Sequence, residues 1–120
     1  MGLASISSQY VKLETKLGGN VMGASVYVQA RDASEWAVLE SEGAPEFHAT
    51  YSTLMVVFET IGRSDLDPVG GSIEPTNLPA IYEACTKFAE AAPDGREWAV
   101  RQFGMVARAA YNLRRSMSWG

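Results

Sequence analysis

FHATYSTLMVVFETIG, residues 47–62, decides the fold, because two periods compete within it. Phe47, Tyr51, Leu54, Phe58 and Ile61 recur at spacings of four, three, four and three, which puts them on one face of an α-helix. His48, Ser52 and Glu59 then fall on the polar face, and Gly62 stands where a helix-ending glycine belongs. Against this, residues 53–60 are rich in β-branched side chains, which suit a buried strand. The longer periodic run favours the helix. With it the chain reads as an α+β domain, an N-terminal β-hairpin packed on three to four helices and closing with an antiparallel helix pair. A buried strand over 53–60 is the alternative architecture.

Upstream, Val11, Leu13 and Thr15 alternate with Tyr10, Lys12, Glu14 and Lys16 in the manner of a strand. Gly18-Gly19-Asn20 supplies a turn, and Ser25 to Ala30 alternates again, so the pair is expected to form a hairpin with a bulge at Gly23. Two strands alone are marginal in water, so the ribbon must pack on helices or recruit further strands. Its free edges would offer a docking site for a partner or a second copy of the chain. Asp32 and Glu35 have capping-box spacing for a short helix through Trp36 and Leu39 to Gly43, and Ala44-Pro45 breaks the chain before the deciding stretch.

Downstream, RSDLDPVGGSIEPTN at 63–77 concentrates Gly, Pro, Asp and Ser and is expected to be the longest loop. Asn77 can cap a helix with Pro79 in its first turn, carrying Leu78, Ile81, Cys85, Phe88 and Ala92 inward and stopping at Pro93. Asp94 and Glu97 have capping-box spacing for a last helix running toward Asn112. Its expected apolar stripe is Ala99, Phe103, Val106, Ala110 and Leu113, widened by Trp98, Met105 and Tyr111.

Composition bounds the answer. A chain of 120 residues with 47% hydrophobic and 20% charged residues is expected to be one domain, 1–120, able to bury its own core. Its single cysteine, Cys85, sits on an apolar stripe and reads as a core residue. No signal-peptide pattern opens the sequence and no 18 apolar residues run together, so a cytoplasmic protein without a membrane partner is expected.

Chemistry-bearing motifs do not emerge. His48 and Cys85 are too few for a zinc site. Asp65-Leu66-Asp67-Pro68-Val69-Gly70 matches a calcium loop at positions 1, 3 and 6, but Val69 and Thr76 stand where further ligands are required. Val69-Gly70-Gly71-Ser72 lacks the lysine of a phosphate cradle, and no serine has a nucleophile-elbow context. Thus no metal, cofactor or catalytic residue is assigned; a small enzyme using His48 with Glu59 or Asp65 is kept as a remote alternative.

Charge asymmetry carries more. Residues 1–95 hold five cations against thirteen acids, a net −8, whereas residues 96–120 hold five arginines against Glu97, a net +4. Arg101, Arg108 and Arg115 are seven apart and so lie along one helix face, with Arg114 beside them and Arg96 at the helix start. Arginines in such a stripe can clamp carboxylates or phosphates, or simply pair with acids of their own domain. Trp119, near the end of the sequence, needs somewhere to dock, and Asp65 and Asp67 make the long loop acidic. Partner binding is therefore assigned to Arg101, Arg108, Arg114, Arg115, Trp119, Asp65 and Asp67. The expected role is a small acidic protein-interaction module, an inhibitor or adaptor whose partner is another protein. In size and charge the chain is similar to small acidic inhibitors such as immunity and phage anti-defence proteins. Nucleic-acid binding through the arginine helix is the alternative, and self-association is a further expectation.

Overall fold

A computed structural model describes residues 22–120. Four helices pack on a four-stranded antiparallel sheet, an α+β architecture. In chain order the elements are β1 (Gly23–Val28), α1 (Ala33–Ser41), β2 (Glu46–Thr50), α2 (Tyr51–Thr60), β3 (Gly71–Ile73), α3 (Leu78–Phe88), α4 (Glu97–Asn112) and β4 (Met117–Trp119). Short 3₁₀ turns precede and follow α3 at Pro75–Asn77 and Ala89–Ala91. The Tyr10–Lys16 strand and the Gly18-Gly19-Asn20 turn lie outside the described residues.

The sheet runs β2-β1-β4-β3. Strand β1 is interior: Val26 faces Phe47 of β2 on one side and Trp119 of β4 on the other. Both of its edges are used, so among the described residues the edge strands are β2 and β3. Alternation along β1 sends Ala24, Val26 and Val28 to the helix-covered face, where they meet Ala49, Met117 and Ile73 in the core. Phe58 of α2 and Phe103 of α4 both pack on Trp119, with ring centroids 5.4 and 5.9 Å away. The other face carries Ser25, Tyr27, Glu46, His48 and Ser118, and α1 leans on it through Trp36 against Tyr27.

In the deciding stretch the helix is real but begins later than its period implies. Phe47 and His48 lie in β2, and Thr50 caps α2, its hydroxyl accepting from Thr53 N–H at 3.2 Å. The sheet takes residues 46–50 because Phe47 and Ala49 point inward while Glu46, His48 and Thr50 point the other way, a period of two that overlaps the helical one. His48 is therefore a strand residue opposite Ser25 and not a residue of a helix start. From Tyr51 onward Leu54, Val57 and Phe58 are buried, and Gly62 takes the positive φ of a helix-terminating residue.

Two further expectations change. The 63–77 segment is not all loop, since Gly71–Ile73 adds a short strand to β4. Trp119 lies across Gly71 so closely that a Cβ there would sit 2.7 Å from the indole, so a glycine is required at this position. Asp32 caps α1 as its spacing implies, accepting from Glu35 N–H at 2.9 Å. Asp94 does not cap α4; it takes positive φ in the Pro93–Gly95 link, and Arg96 stands at the helix start.

Helices α3 and α4 pack closely because small residues meet between them. Cys85 and Gly104 face each other, and a Cβ on Gly104 would lie 2.8 Å from that of Cys85. Cys85 is buried, and burial pushes its thiol up to about 12, which keeps it protonated and unreactive at neutral pH. No helix among the described residues is long and apolar enough to cross a membrane.

Candidate interaction surface

The solvent side of α4 is built by what its inner side requires. Val100, Phe103, Gly104, Val106, Ala107 and Ala110 are all buried, an arc centred toward α3 and the sheet. That arc leaves Trp98 and Met105, seven residues apart, on the outer face, 51% and 55% exposed. Both were expected to widen the apolar stripe; Val100, Gly104 and Ala107 occupy that place instead. Trp98 is braced by Phe47 in an edge-on contact with centroids 6.3 Å apart. Leu113, also expected inside, is 41% exposed.

Arg101 and Arg108, each three residues beyond one of this apolar pair, run alongside it. Arg101 donates from Nε to Glu97 at 2.8 Å and lies 3.8 Å from Glu90, all in partly exposed positions. Exposed pairs of this kind contribute at most about 1 kcal/mol, so a partner carboxylate can displace them at little cost. Arg108 holds its guanidinium carbon over the Tyr82 ring, 5.3 Å from the centroid, a cation–π contact.

The stripe does not continue as one surface. Arg115 turns away to α1, where its Nε donates to both carboxylate oxygens of Glu35 at 2.8 and 2.9 Å and its Nη2 closes a short second contact. Both side chains are 18% exposed. Arg31 adds its backbone N–H to the same carboxylate at 2.6 Å. Arg115 thus ties the end of α4 to the first turn of α1. Arg114 is exposed at positive φ, the residue that turns the chain from α4 into β4.

These contacts to Arg115 hold the Glu35 carboxyl at about 2, well below the ordinary 4.5. The folded state therefore binds this proton less readily than the unfolded chain, and the sign follows. The stabilisation is fully present above the unfolded value and is lost as pH falls from about 4.5 through 2. Glu35→Gln is expected to flatten this part of the acid limb, and thermal unfolding of both proteins between pH 2 and 5 checks it. Parallel acid limbs would show that the pair adds nothing.

Trp119 is no surface residue. It is 3% exposed, and its Nε1 donates to the Asp67 carbonyl at 2.7 Å. The terminal indole docks on its own domain because β4 places it between Phe58 and Phe103. Asp67 also accepts from Val69 N–H at 2.9 Å, and Asp65 is clamped by Arg63 at 2.9 and 3.0 Å, which lowers its carboxyl. The acidic loop is thus organised by its own contacts. Among the described residues no group of three or more His, Cys, Asp or Glu could hold a metal ion. His48 has Ser25 as a neighbour, with Ser25 Oγ 3.5 Å from Nδ1.

Of the seven assigned residues, Arg101 and Arg108 share one exposed surface, Arg114 follows at the helix end, Arg115, Asp65 and Asp67 are engaged by partners within the domain, and Trp119 is core. Trp98 and Met105 were missed as site residues. Their seven-residue spacing, in phase with Arg101 and Arg108, was the available signal. No family model, no curated protein and no solved structure matches this chain.

Proposed function

We propose that this chain is a protein-interaction module, an inhibitor or adaptor that docks an acidic partner surface onto α4. The observation that carries the reading is the exposure of Trp98 and Met105 alongside Arg101 and Arg108 on one helix face. Tryptophan, methionine and arginine are the side chains enriched at interfaces, whereas lysine and glutamate dominate ordinary surface. An indole half in water beside cations would bury its ring on a partner while the arginines meet carboxylates bidentately. Nucleic acid is the second reading, favoured by the same Trp98, since an exposed ring among arginines is also a stacking platform.

A photo-crosslinking residue at position 105, with capture from host lysate before and after nuclease, tests both. Trp98→Ala is expected to weaken capture of one stoichiometric protein by about thirtyfold, the loss of a hot-spot side chain, with unchanged thermal unfolding. Arg101→Glu with Arg108→Glu is expected to weaken it further and to reduce its salt dependence. Nuclease-sensitive capture would transfer the surface to nucleic acid. Capture identical in Trp98→Ala and the parent would remove α4 as the binding face.

A further inference from the structure

The solvent side of α4 carries a regular stripe of its own. Trp98, Gln102, Met105, Ala109 and Asn112 recur at spacings of four, three, four and three, so they stay on one face from the first turn of the helix to the last. Trp98, Met105 and Asn112 are exposed along it, with Gln102 and Ala109 half-buried between them. Arg101 and Arg108 border the stripe on the side of α3 and the turn that follows it, where they meet Glu90 and the Tyr82 ring. The opposite border is apolar, with Val106 buried and Leu113 partly exposed.

We infer that this stripe seats an α-helix of the partner, one with apolar side chains at the same alternating spacing and carboxylates along one flank. The inference rests on α4 being the docking face. Three physical arguments converge. Steps of three and four residues are about 5 Å along α4, matching successive knobs of a facing helix, whereas side chains on one face of an extended strand stand about 6.8 Å apart and lose step after about three contacts. At 16 residues α4 is about 24 Å long, enough for two heptads of contact. The residue types suit reversible docking: Trp98 and Met105 supply bulk, Ala109 is a small position for a larger knob to enter, and polar Gln102 and Asn112 fix register at a cost in stability. Charge then selects the occupant. Antiparallel pairing of α4 with a second copy about Met105 would set the arginines of one copy against those of the other, whereas an acid-flanked helix gains charge-assisted pairs. Arg115, next in the arginine series, is taken by Glu35, so Arg101 and Arg108 face the partner and its acids are expected seven residues apart.

The probe is a synthetic peptide of three heptads with Leu at a and d and Glu at e and g, titrated into the whole ¹⁵N-labelled protein. The chain has three tryptophans, and Trp98→Phe identifies the Trp98 indole peak by its loss. The peptide is expected to move that peak saturably, with a Kd of about 100 μM or tighter, to gain helical circular dichroism and to leave the Trp36 and Trp119 peaks in place. The same peptide with Lys at e and g is expected to bind about tenfold more weakly, and Arg101→Ala with Arg108→Ala to abolish that difference. A peptide of the Glu composition with its leucines at every second position is also expected to bind about tenfold more weakly. In the crosslinking capture at position 105, the partner segment joined to α4 is expected to show the alternating apolar spacing with acids seven residues apart. An unmoved Trp98 peak, equal binding of the lysine or alternating peptide, or a captured segment without this spacing would overturn the helix inference, and α4 keeps its role where capture still depends on Trp98. Loss of that capture as well removes both readings.

Discussion

Deleting residues 116–120 is expected to leave a chain that does not fold. The lost segment contains β4, which lies between β1 and β3, so its removal strips pairing from both and splits the sheet in two. Met117 and Trp119 leave the core with it, and the Phe58–Trp119–Phe103 cluster loses its centre. Trp119→Ala alone is expected to cost about 3–5 kcal/mol, the range for emptying a buried aromatic site. A domain of this size has about 5–15 kcal/mol in total, so the point variant should be marginal and the deletion unfolded. Circular dichroism and urea unfolding check both. A truncated protein that still melts cooperatively at the parent midpoint would mean that β4 contributes little.

The second large effect is at Gly104. Its place in the middle of a 16-residue helix costs about 1 kcal/mol relative to alanine, a penalty that local propensity alone would remove. The neighbouring helix forbids the remedy. A Cβ there would stand 2.8 Å from the Cβ of Cys85, with its Sγ at 3.5 Å, inside a fully buried contact. Gly104→Leu therefore has to push α3 from α4 along the best-packed seam of the domain. The expected cost is about 1–3 kcal/mol or more, as for other overpacked cores. Gly104→Ala should also destabilise despite its better propensity. A second substitution, Cys85→Ala, should recover little of the loss, because the clashing atom is the Cβ that alanine keeps. Equilibrium unfolding of the single and double variants reads the coupling directly. A more stable Gly104→Ala would show that the helices yield without cost.

The sequence exposed the helices better than the sheet. Asp32 announced α1, Gly62 the end of α2, and the Leu78, Ile81, Cys85 spacing the buried side of α3, because caps and helical periods are local signals. Strands β3 and β4 were illegible for a complementary reason. Each is three residues long, too short for a period of two to register, and each exists only through pairing with residues far along the chain. At residues 46–50 both periods were present, and the sheet prevailed up to the Thr50 cap. The arginine spacing correctly placed Arg101 and Arg108 on one face, but Glu35, 80 residues from Arg115, was beyond what spacing can show. Trp98 and Met105 were assigned inward because Gly104 and Ala107 look too small to mark a buried face. Here close packing of small residues brings the Val100, Gly104 and Ala107 side of the helix inward.

The pairing of residues 26–28 with 117–119 also sets a schedule for the protein's manufacture. On the ribosome, β1 leaves the exit tunnel early and waits through the synthesis of every helix before its second neighbour exists. Until then Val26 and Val28 have one pairing edge vacant and the Phe58–Phe103 site lacks its third ring. The nascent chain is accordingly expected to resist compaction and to be protease-sensitive until residue 119 has emerged, then to collapse in a single late step. Stalled chains of increasing length, probed by pulse proteolysis, would show protection arriving all at once rather than helix by helix.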